Sequence, residues 1–195
     1  MIKIGLTGGI GSGKTLVSKV FSQFGIPVFN ADYNAKLILN QDIEVISEIT
    51  KHFGDLYSQE GINKEKFASI IFNNPKDLKK VNAIIHPKVL EYFNSWVTKQ
   101  QNADYIIKEA AILFESNTHK DLDMTINVHA DELVRINRVV KRDKSTIENV
   151  KSRIKNQISD NDRINIADFT IYNNGDRMLL PQILEIHNKI LKSKK

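Results

Sequence analysis

The stretch Gly8-Gly9-Ile10-Gly11-Ser12-Gly13-Lys14-Thr15 fits the pattern G-x-x-x-x-G-K-[ST]. Residues 2–7 before it are apolar and predict a buried strand, and residues 13–24 place their apolar side chains along one helical stripe. Glycines let a backbone wrap a phosphate group with its N–H groups pointing inward, and a helix N-terminus adds positive potential. The context therefore favours a phosphate-binding P-loop over a glycine-rich turn without a ligand.

The rest of the chain predicts an α/β protein with a P-loop NTPase fold. A second strand at 27–30 completes a βαβ unit, and further strands are expected at 105–110, 124–128 and 169–172. The expected architecture is a parallel five-stranded sheet flanked by helices, with a helical insert and a helical lid. The expected boundaries are a core of 1–32, 103–130 and 164–195, an insert of about 33–102 without a convincing strand, and a lid of about 131–163.

A formal charge of +5 is compatible with a nucleic-acid partner. The distribution of the charged residues along the chain favours a different polyanion. Residues 135–163 hold nine Lys and Arg against four Asp and Glu, whereas residues 1–134 are net negative. A solvated basic helix would also account for this cluster. We expect the cluster to meet a nucleoside triphosphate, with no nucleic-acid partner. Lys192, Lys194 and Lys195 add a separate positive tail.

The composition indicates an ordinary globular protein without a disulfide framework, because the chain has no cysteine. The apolar run at the N-terminus is too short for a signal peptide, and no stretch is apolar enough to span a bilayer. We expect a cytoplasmic protein with no membrane partner, monomeric in its simplest form.

Elimination among P-loop proteins leaves a small-molecule kinase. The base-reading N-K-x-D of GTPases is absent, and the nearest match, at 63–66, lacks the Asp. Asp32 follows the second strand, where ligands gather in parallel sheets, so it could accept a proton from an attacking hydroxyl or merely cap a helix. Arg138 and Arg142 are four apart on one helical face and could close over ATP, although either could be a surface ion pair.

Several short segments, in order and spacing, make the chain resemble the dephospho-CoA kinase family over nearly its whole length. They are Gly5–Thr15, Ala31-Asp32, His86-Pro87, Leu113-Phe114-Glu115, Arg138-x-x-x-Arg142-Asp143, Ala167-Asp168 and Asn173-Asn174-Gly175. The resemblance implies transfer of the ATP γ-phosphoryl group to the ribose 3′-hydroxyl of dephospho-CoA, the last step of coenzyme A synthesis. A nucleoside monophosphate kinase and a non-catalytic nucleotide-binding module remain the alternatives.

The resemblance also implies roles for individual residues, with ATP and Mg²⁺ as cofactors and dephospho-CoA as the substrate. The catalytic residues would be Asp32 as base, Lys14, Arg138 and Arg142. Thr15 would ligate the metal. The substrate would contact Thr7, Asp32 and His86. The ATP-binding residues would be Gly9, Gly11, Ser12, Gly13, Lys14, Thr15, Leu16, Arg142 and Asn174.

Other features of the sequence leave their roles open. The family usually has D-A-D after the second strand, and here the stretch reads Asn30-Ala31-Asp32, which retains the Asp assigned as base. His86-Pro87 could instead begin a helix, with Pro near its first position. Glu109 and Glu115 could hold Mg²⁺ through water or cap a helix, and Glu109 is left out of the predicted site.

Overall fold

The computed structural model describes residues 1–193, except for the side chains of residues 71–73, so Lys194 and Lys195 of the positive tail lie outside the described residues. The strands are β1 (Ile2–Thr7), β2 (Val28–Asn30), β3 (Tyr57–Ser58), β4 (Gly61–Ile62), β5 (Tyr105–Glu109), β6 (Met124–His129) and β7 (Phe169–Tyr172). The helices are α1 (Lys14–Gln23), α2 (Ala31–Gln41), α3 (Ile43–Phe53), α4 (Lys64–Asn73), α5 (Pro75–Val97), α6 (Glu132–Asp143), α7 (Ile147–Lys155), α8 (Asp160–Ile166) and α9 (Leu179–Lys192).

The chain divides into two compact units. The first unit comprises Met1–Asn30 with Gln100–Lys195, and the second comprises Ala31–Lys99. The helical insert expected at 33–102 covers nearly the same residues as the second unit. The expected lid at 131–163 is grouped with the first unit.

A parallel five-stranded sheet organises the first unit, in the order β2-β5-β1-β6-β7, which confirms the predicted fold class. One face of the sheet packs its apolar side chains against α1 and α9. The buried members of this core include Ile4, Leu6, Val17, Phe21, Ile107, Ile126, Val128, Ile171, Ile183 and Ile190. Because every strand runs the same way, the carboxyl ends of β1, β2, β5 and β6 lie at one edge, where ligands of such sheets bind.

The helices that follow β6 form a smaller cluster within the first unit. Ile136 and Val139 of α6 pack with Val150 of α7, and Ile10 of the P-loop packs against the same group. The segment from α6 to α8, residues 132–166, therefore contacts the P-loop through apolar as well as polar side chains. We call this segment the lid segment.

The second unit consists mainly of helices, but the expectation that it has no strand is wrong. β3 and β4 form a small antiparallel hairpin, in which Tyr57 pairs with Ile62 and Ser58 with Gly61. Each strand has two residues, which is too short to show the alternating apolar pattern from which strands are predicted. The Tyr57 hydroxyl donates to the Leu39 carbonyl, and burial raises the pKa of this hydroxyl to about 12.

His86-Pro87 does not begin a helix. Both residues lie inside α5, which instead begins at Pro75 after Asn74 caps it by accepting a hydrogen bond from the N–H of Lys76. Asn-Pro at 74–75 is therefore the true start signal, with Pro at the first helical position. Among the described residues, no helix is both long and apolar enough to cross a membrane.

Candidate functional site

The P-loop joins the end of β1 to the start of α1 and depends on glycine at close approaches. Gly11 and Gly13 have φ values of 80° and 99°, which side chains rarely adopt. A Cβ on Gly11 would lie 2.6 Å from the carbonyl oxygen of Arg135, and one on Gly13 would collide with the side-chain amide of Asn173. The loop is thus enclosed from outside by the lid segment and by the residue after β7.

A buried carboxylate, Glu109, ends β5 beside the start of α1. Its Oε1 accepts a hydrogen bond from the Thr15 hydroxyl at 3.0 Å, and its Oε2 accepts one from Ser18 at 2.9 Å. The side-chain amide of Asn30, at the end of β2, donates to the same Oε2 at 3.2 Å. Three donors therefore hold one carboxylate next to the hydroxyl that the P-loop motif assigns to a metal ion.

This donor set fits Mg²⁺, which prefers oxygen ligands and usually keeps several of its waters. The Thr15 hydroxyl would be a direct ligand, and the Glu109 carboxylate would accept hydrogen bonds from metal-bound water. No group of three or more His, Cys, Asp or Glu that could hold a metal is found in the described part of the chain. The protein alone therefore offers few ligands, as expected where substrate phosphates supply the rest.

Side chains from outside the motif bind the carbonyl oxygens of the P-loop. Asn173 Nδ2 donates to the Ser12 carbonyl at 2.7 Å. Arg138 Nη2 donates to the Asn173 carbonyl at 2.9 Å, and its Nη1 lies 3.5 Å from the Gly11 carbonyl, at the outer limit of a hydrogen bond. The structure thus places Arg138, predicted to be catalytic, on the Asn173 carbonyl, with a weak contact to the backbone of the P-loop.

Two more arginines of the basic cluster are buried, so a solvated basic helix does not describe them. Arg135 and Arg163 are each 2% exposed and share Asp160, with N–O distances of 2.6 Å and 2.8 Å. Arg163 also donates to the Ile158 carbonyl, and the backbone N–H of Ile158 donates to Glu115. Glu115 therefore binds the lid segment. This contact gives a role to Glu115, one of the two acids, with Glu109, for which the sequence predicts no single role.

Arg142 is placed differently from the buried arginines. Its side chain is 65% exposed, and it pairs with Asp143 through two hydrogen bonds of 2.7 Å and 3.1 Å. These bonds lower the pKa of the Asp143 carboxyl and raise that of the guanidinium. An exposed pair of this kind contributes little to stability, so Arg142 can exchange Asp143 for a phosphate at small cost.

Asn174, expected near the adenine, links the loop after β7 to the residue that precedes the lid segment. Its Oδ1 accepts a hydrogen bond of 2.8 Å from the backbone N–H of Asp131, the residue before α6. Leu16, another expected ATP contact, is 53% exposed in the first turn of α1. Lys14 begins the same helix and is half-buried.

Thr7 ends β1 with a fully buried side chain whose hydroxyl has no hydrogen-bond partner within the described residues. The amide of Asn127, its register partner on β6, and the hydroxyl of Ser12 are also buried and unpartnered there. Buried polar groups are nearly always hydrogen-bonded, to a ligand or ordered water where protein partners are lacking. The carboxyl edge of the sheet therefore has unmet hydrogen-bonding capacity beside the P-loop.

Asp32 and His86 belong to the second unit. Asp32 is the second residue of α2 and lies two positions after Asn30, the last residue of β2. His86 is half-buried in the middle of α5. The first unit by itself brings together the P-loop, Thr7, Thr15, Glu109, Arg135 and Arg138.

Glu109 and Asn173 are functional candidates that the sequence prediction did not include. An acid at the carboxyl end of a strand that pairs with β1 is a usable signal for Glu109, provided that the strand order is known. Asn173 belongs to the segment Asn173-Asn174-Gly175 that carries the family resemblance, but no role of its own is expected for it. Its contact with Ser12 joins residues 161 positions apart, which no local pattern reveals.

Comparison with known proteins agrees with the family resemblance seen in the sequence. The family model described as dephospho-CoA kinase matches residues 2–178. A dephospho-CoA kinase of Bacteroides fragilis is 38% identical over 186 residues, covering 95% of this chain and 91% of the relative.

Two solved structures share the fold of this chain. A Thermus thermophilus protein superposes with a TM-score of 0.85 at 26% identity, covering 98% of this chain and 97% of its own. A dephospho-CoA kinase from Campylobacter jejuni superposes with a TM-score of 0.70 at 22% identity, covering 99% of this chain and 98% of its own. With the family match over most of its length, the chain belongs to the dephospho-CoA kinase family.

Proposed function

We propose that this protein transfers the γ-phosphoryl group of ATP to the ribose 3′-hydroxyl of dephospho-CoA, giving coenzyme A and ADP. The observation that supports this most directly is the Thr15–Glu109 hydrogen bond beside an intact P-loop. It joins the metal-binding hydroxyl of the motif to a buried carboxylate at the ligand-binding edge of the sheet. Membership of the family supplies the acceptor, because the curated relative is a dephospho-CoA kinase.

The donor half of the site would hold the phosphates of ATP. The backbone N–H groups of Gly11 and Gly13 and the Lys14 ammonium would contact the β- and γ-phosphates, whereas the N–H of Ile10 donates to Gln157 and that of Ser12 to the Gly9 carbonyl. Thr15 would ligate Mg²⁺, and Glu109 would hold water bound to it. The bound ion would neutralise charge on the β- and γ-phosphate oxygens. The residues themselves then have to position the phosphates and exclude water.

The acceptor half of the proposal rests on chain position and on the family resemblance. Asp32 would take the proton of the 3′-hydroxyl as that oxygen bonds to the γ-phosphorus, while the bond from phosphorus to the β–γ bridging oxygen breaks and ADP leaves. His86 would contact dephospho-CoA, and so would the Thr7 hydroxyl at the end of β1, which has no partner among the described residues.

Arg142 would act from the lid segment. Its exposed guanidinium would leave Asp143 for the phosphates of ATP, where a planar cation stabilises charge on the transferring group. Arg138 would support this position from the same helix. Asn174 and Leu16 would border the nucleoside. We further propose that the enzyme acts as a monomer in the cytoplasm.

A substrate panel tests the proposal. Purified protein is given ATP and Mg²⁺ with dephospho-CoA, AMP, CMP, or no acceptor, and ADP release is followed. Release that depends on dephospho-CoA is expected. Release with a nucleoside monophosphate alone would favour another small-molecule kinase, and no release with any acceptor would favour a non-catalytic nucleotide-binding module.

A further inference from the structure

Asn173 is held at three points, which makes its side chain an unusually fixed donor. Its backbone N–H donates to the His129 carbonyl at 2.8 Å, which continues the pairing of β7 with β6. Its carbonyl accepts from Arg138 at 2.9 Å, and its side-chain Nδ2 donates to the Ser12 carbonyl at 2.7 Å. The residue is 9% exposed, so water does not compete strongly for these bonds.

The bond to Ser12 fixes the orientation of one P-loop peptide. A trans peptide is planar, and its C=O and N–H point in opposite directions. No peptide among the described residues is cis. Because the Ser12 carbonyl points at Asn173, the N–H of Gly13 must point away from Asn173, toward the inner side of the loop.

Two arginines also lie beside carbonyl groups of the P-loop peptides that precede Ser12. Arg138 Nη1 approaches the Gly11 carbonyl and Arg135 Nη1 approaches the Ile10 carbonyl, each at 3.5 Å. At this distance the bonds are weak, but both place a cation beside a carbonyl on the outside of the loop. By the same peptide geometry, the N–H of Gly11 is turned inward. The strong bond from Asn173 is thus one of three outward carbonyl contacts.

We infer that Asn173 is a positioning residue for the phosphates of the nucleotide, and that Arg138 acts through it. By holding the Ser12 carbonyl outward, Asn173 presents the Gly13 N–H to a phosphate oxygen before the nucleotide arrives, so binding requires no peptide rotation. Arg138 secures the Asn173 carbonyl from α6 and links this arrangement to the lid segment. The inference deepens the proposed function and rests on a nucleoside polyphosphate being the ligand of the loop.

Equilibrium binding without an acceptor tests this role apart from catalysis. The probes are ADP and inorganic tripolyphosphate, which has phosphates but no adenine, measured by calorimetry. In Asn173→Ala, the Kd of both probes is expected to rise about 10- to 100-fold. Asn137→Ala is the matched control, because Asn137 is exposed on α6, and its Kd values should equal those of the wild type.

A second variant and a spectroscopic signal distinguish the loss of a positioned N–H group from unfolding of the variant protein. Arg138→Lys keeps the positive charge but cannot reach two carbonyls as a guanidinium does, so a several-fold rise in Kd for both probes is expected. The Gly13 amide proton should move downfield when ADP binds the wild type, and by much less in Asn173→Ala. If Asn173→Ala does not fold, Arg138→Lys and its Gly13 signal decide the question.

The outcomes separate the inference from the proposed function. Unchanged Kd values in folded Asn173→Ala, or in Arg138→Lys where that variant decides, would overturn the inference. So would a loss for ADP with none for tripolyphosphate, since the defect would then lie at the adenine. A wild type that binds neither probe would instead contradict the proposed function itself.

Discussion

The Thr15 hydroxyl donates to the Glu109 carboxylate across 3.0 Å, although the two residues lie 94 positions apart in the sequence. Thr15 belongs to α1, the helix that follows the P-loop, and Glu109 ends β5, the strand that pairs with β1. The contact therefore depends on the strand order, in which β5 lies between β1 and β2. It gives the proposed metal position a hydroxyl and a carboxylate from two separate elements.

Removal of the Thr15 hydroxyl should impair the use of Mg²⁺. We expect Thr15→Val to lower turnover by about 10²- to 10³-fold and to raise the Mg²⁺ concentration needed for half-maximal rate. Thr15→Ser is the matched control, because it keeps the hydroxyl and should stay within a few-fold of the wild type. A Thr15→Val enzyme with normal Mg²⁺ dependence would remove Thr15 from the metal site.

Glu109→Gln should lower the stability of the protein as well as impair the use of Mg²⁺. The glutamine amide would place an N–H₂ group among the Thr15, Ser18 and Asn30 donors, which need an acceptor. We expect a loss of about 1–3 kcal/mol in the free energy of unfolding, measured by urea denaturation, together with a higher Mg²⁺ requirement. A loss of stability with unchanged Mg²⁺ dependence would limit Glu109 to a structural role.

Asp32→Asn should separate nucleotide binding from chemistry. Loss of the proposed base is expected to lower turnover by about 10²- to 10⁴-fold while the Kd of ATP changes little. Glu65→Gln likewise converts an acid to its amide, at an exposed position in the first turn of α4 in the same unit, and should retain activity. Near-normal turnover in Asp32→Asn would show that Asp32 is not the base and that its role is limited to the start of α2.

Arg142 has a natural control in Arg153, because both pair with Asp143 from exposed positions. Arg142→Ala is expected to lower kcat/KM for ATP by about 10²-fold or more without a significant change in Tm. Arg153→Ala removes one cation and one partner of the same carboxylate, and should leave kcat/KM nearly unchanged. Equal losses in the two variants would point to a general charge effect and would remove Arg142 from the site.

We expect Lys108, the residue before Glu109, to make the stability of the fold depend on pH in the alkaline range. It is 3% exposed, and burial lowers its pKa from the ordinary value of 10.5. Between the lowered folded pKa and 10.5, the unfolded chain binds more protons than the folded protein, so stability contributed by this residue rises with pH. We expect Lys108→Met to be more stable than the wild type near neutral pH.

The same substitution should also flatten the dependence of the unfolding free energy on pH. Denaturation between about pH 8 and pH 9.5 measures this slope, below the range where raised tyrosine pKa values act in the opposite direction. Tyr105 is one such group, because burial raises the pKa of its hydroxyl. An identical slope in Lys108→Met and the wild type would show that Lys108 stays charged throughout.

Local signals were enough to predict the sheet and the P-loop. Glycine spacing, the apolar strand at 2–7 and the helical stripe after it all act within about 25 residues, so one sequence shows them directly. The family resemblance then supplied roles that no local pattern contains. The position of Arg142 in α6 and of Asp32 at the start of α2 agree with the elements expected for them.

What the sequence could not supply depends on contacts between distant residues. Arg135 and Arg163 looked like members of a basic, solvated cluster, but both are buried on Asp160, which charge counting cannot detect. The hairpin of β3 and β4 was missed because two-residue strands have no period. The sequence predicts no role for Asn173, because only the fold places this residue beside the Ser12 carbonyl.

The central claim concerns one bond, between the γ-phosphorus of ATP and the 3′-oxygen of dephospho-CoA. The most direct measurement is the mass and the ³¹P spectrum of the product formed from dephospho-CoA, ATP and Mg²⁺. We predict a single new phosphate monoester on the ribose 3′ position, identical to authentic coenzyme A, with one ADP formed per ester. ATP hydrolysis without an ester, or a phosphate on another hydroxyl, would contradict the account.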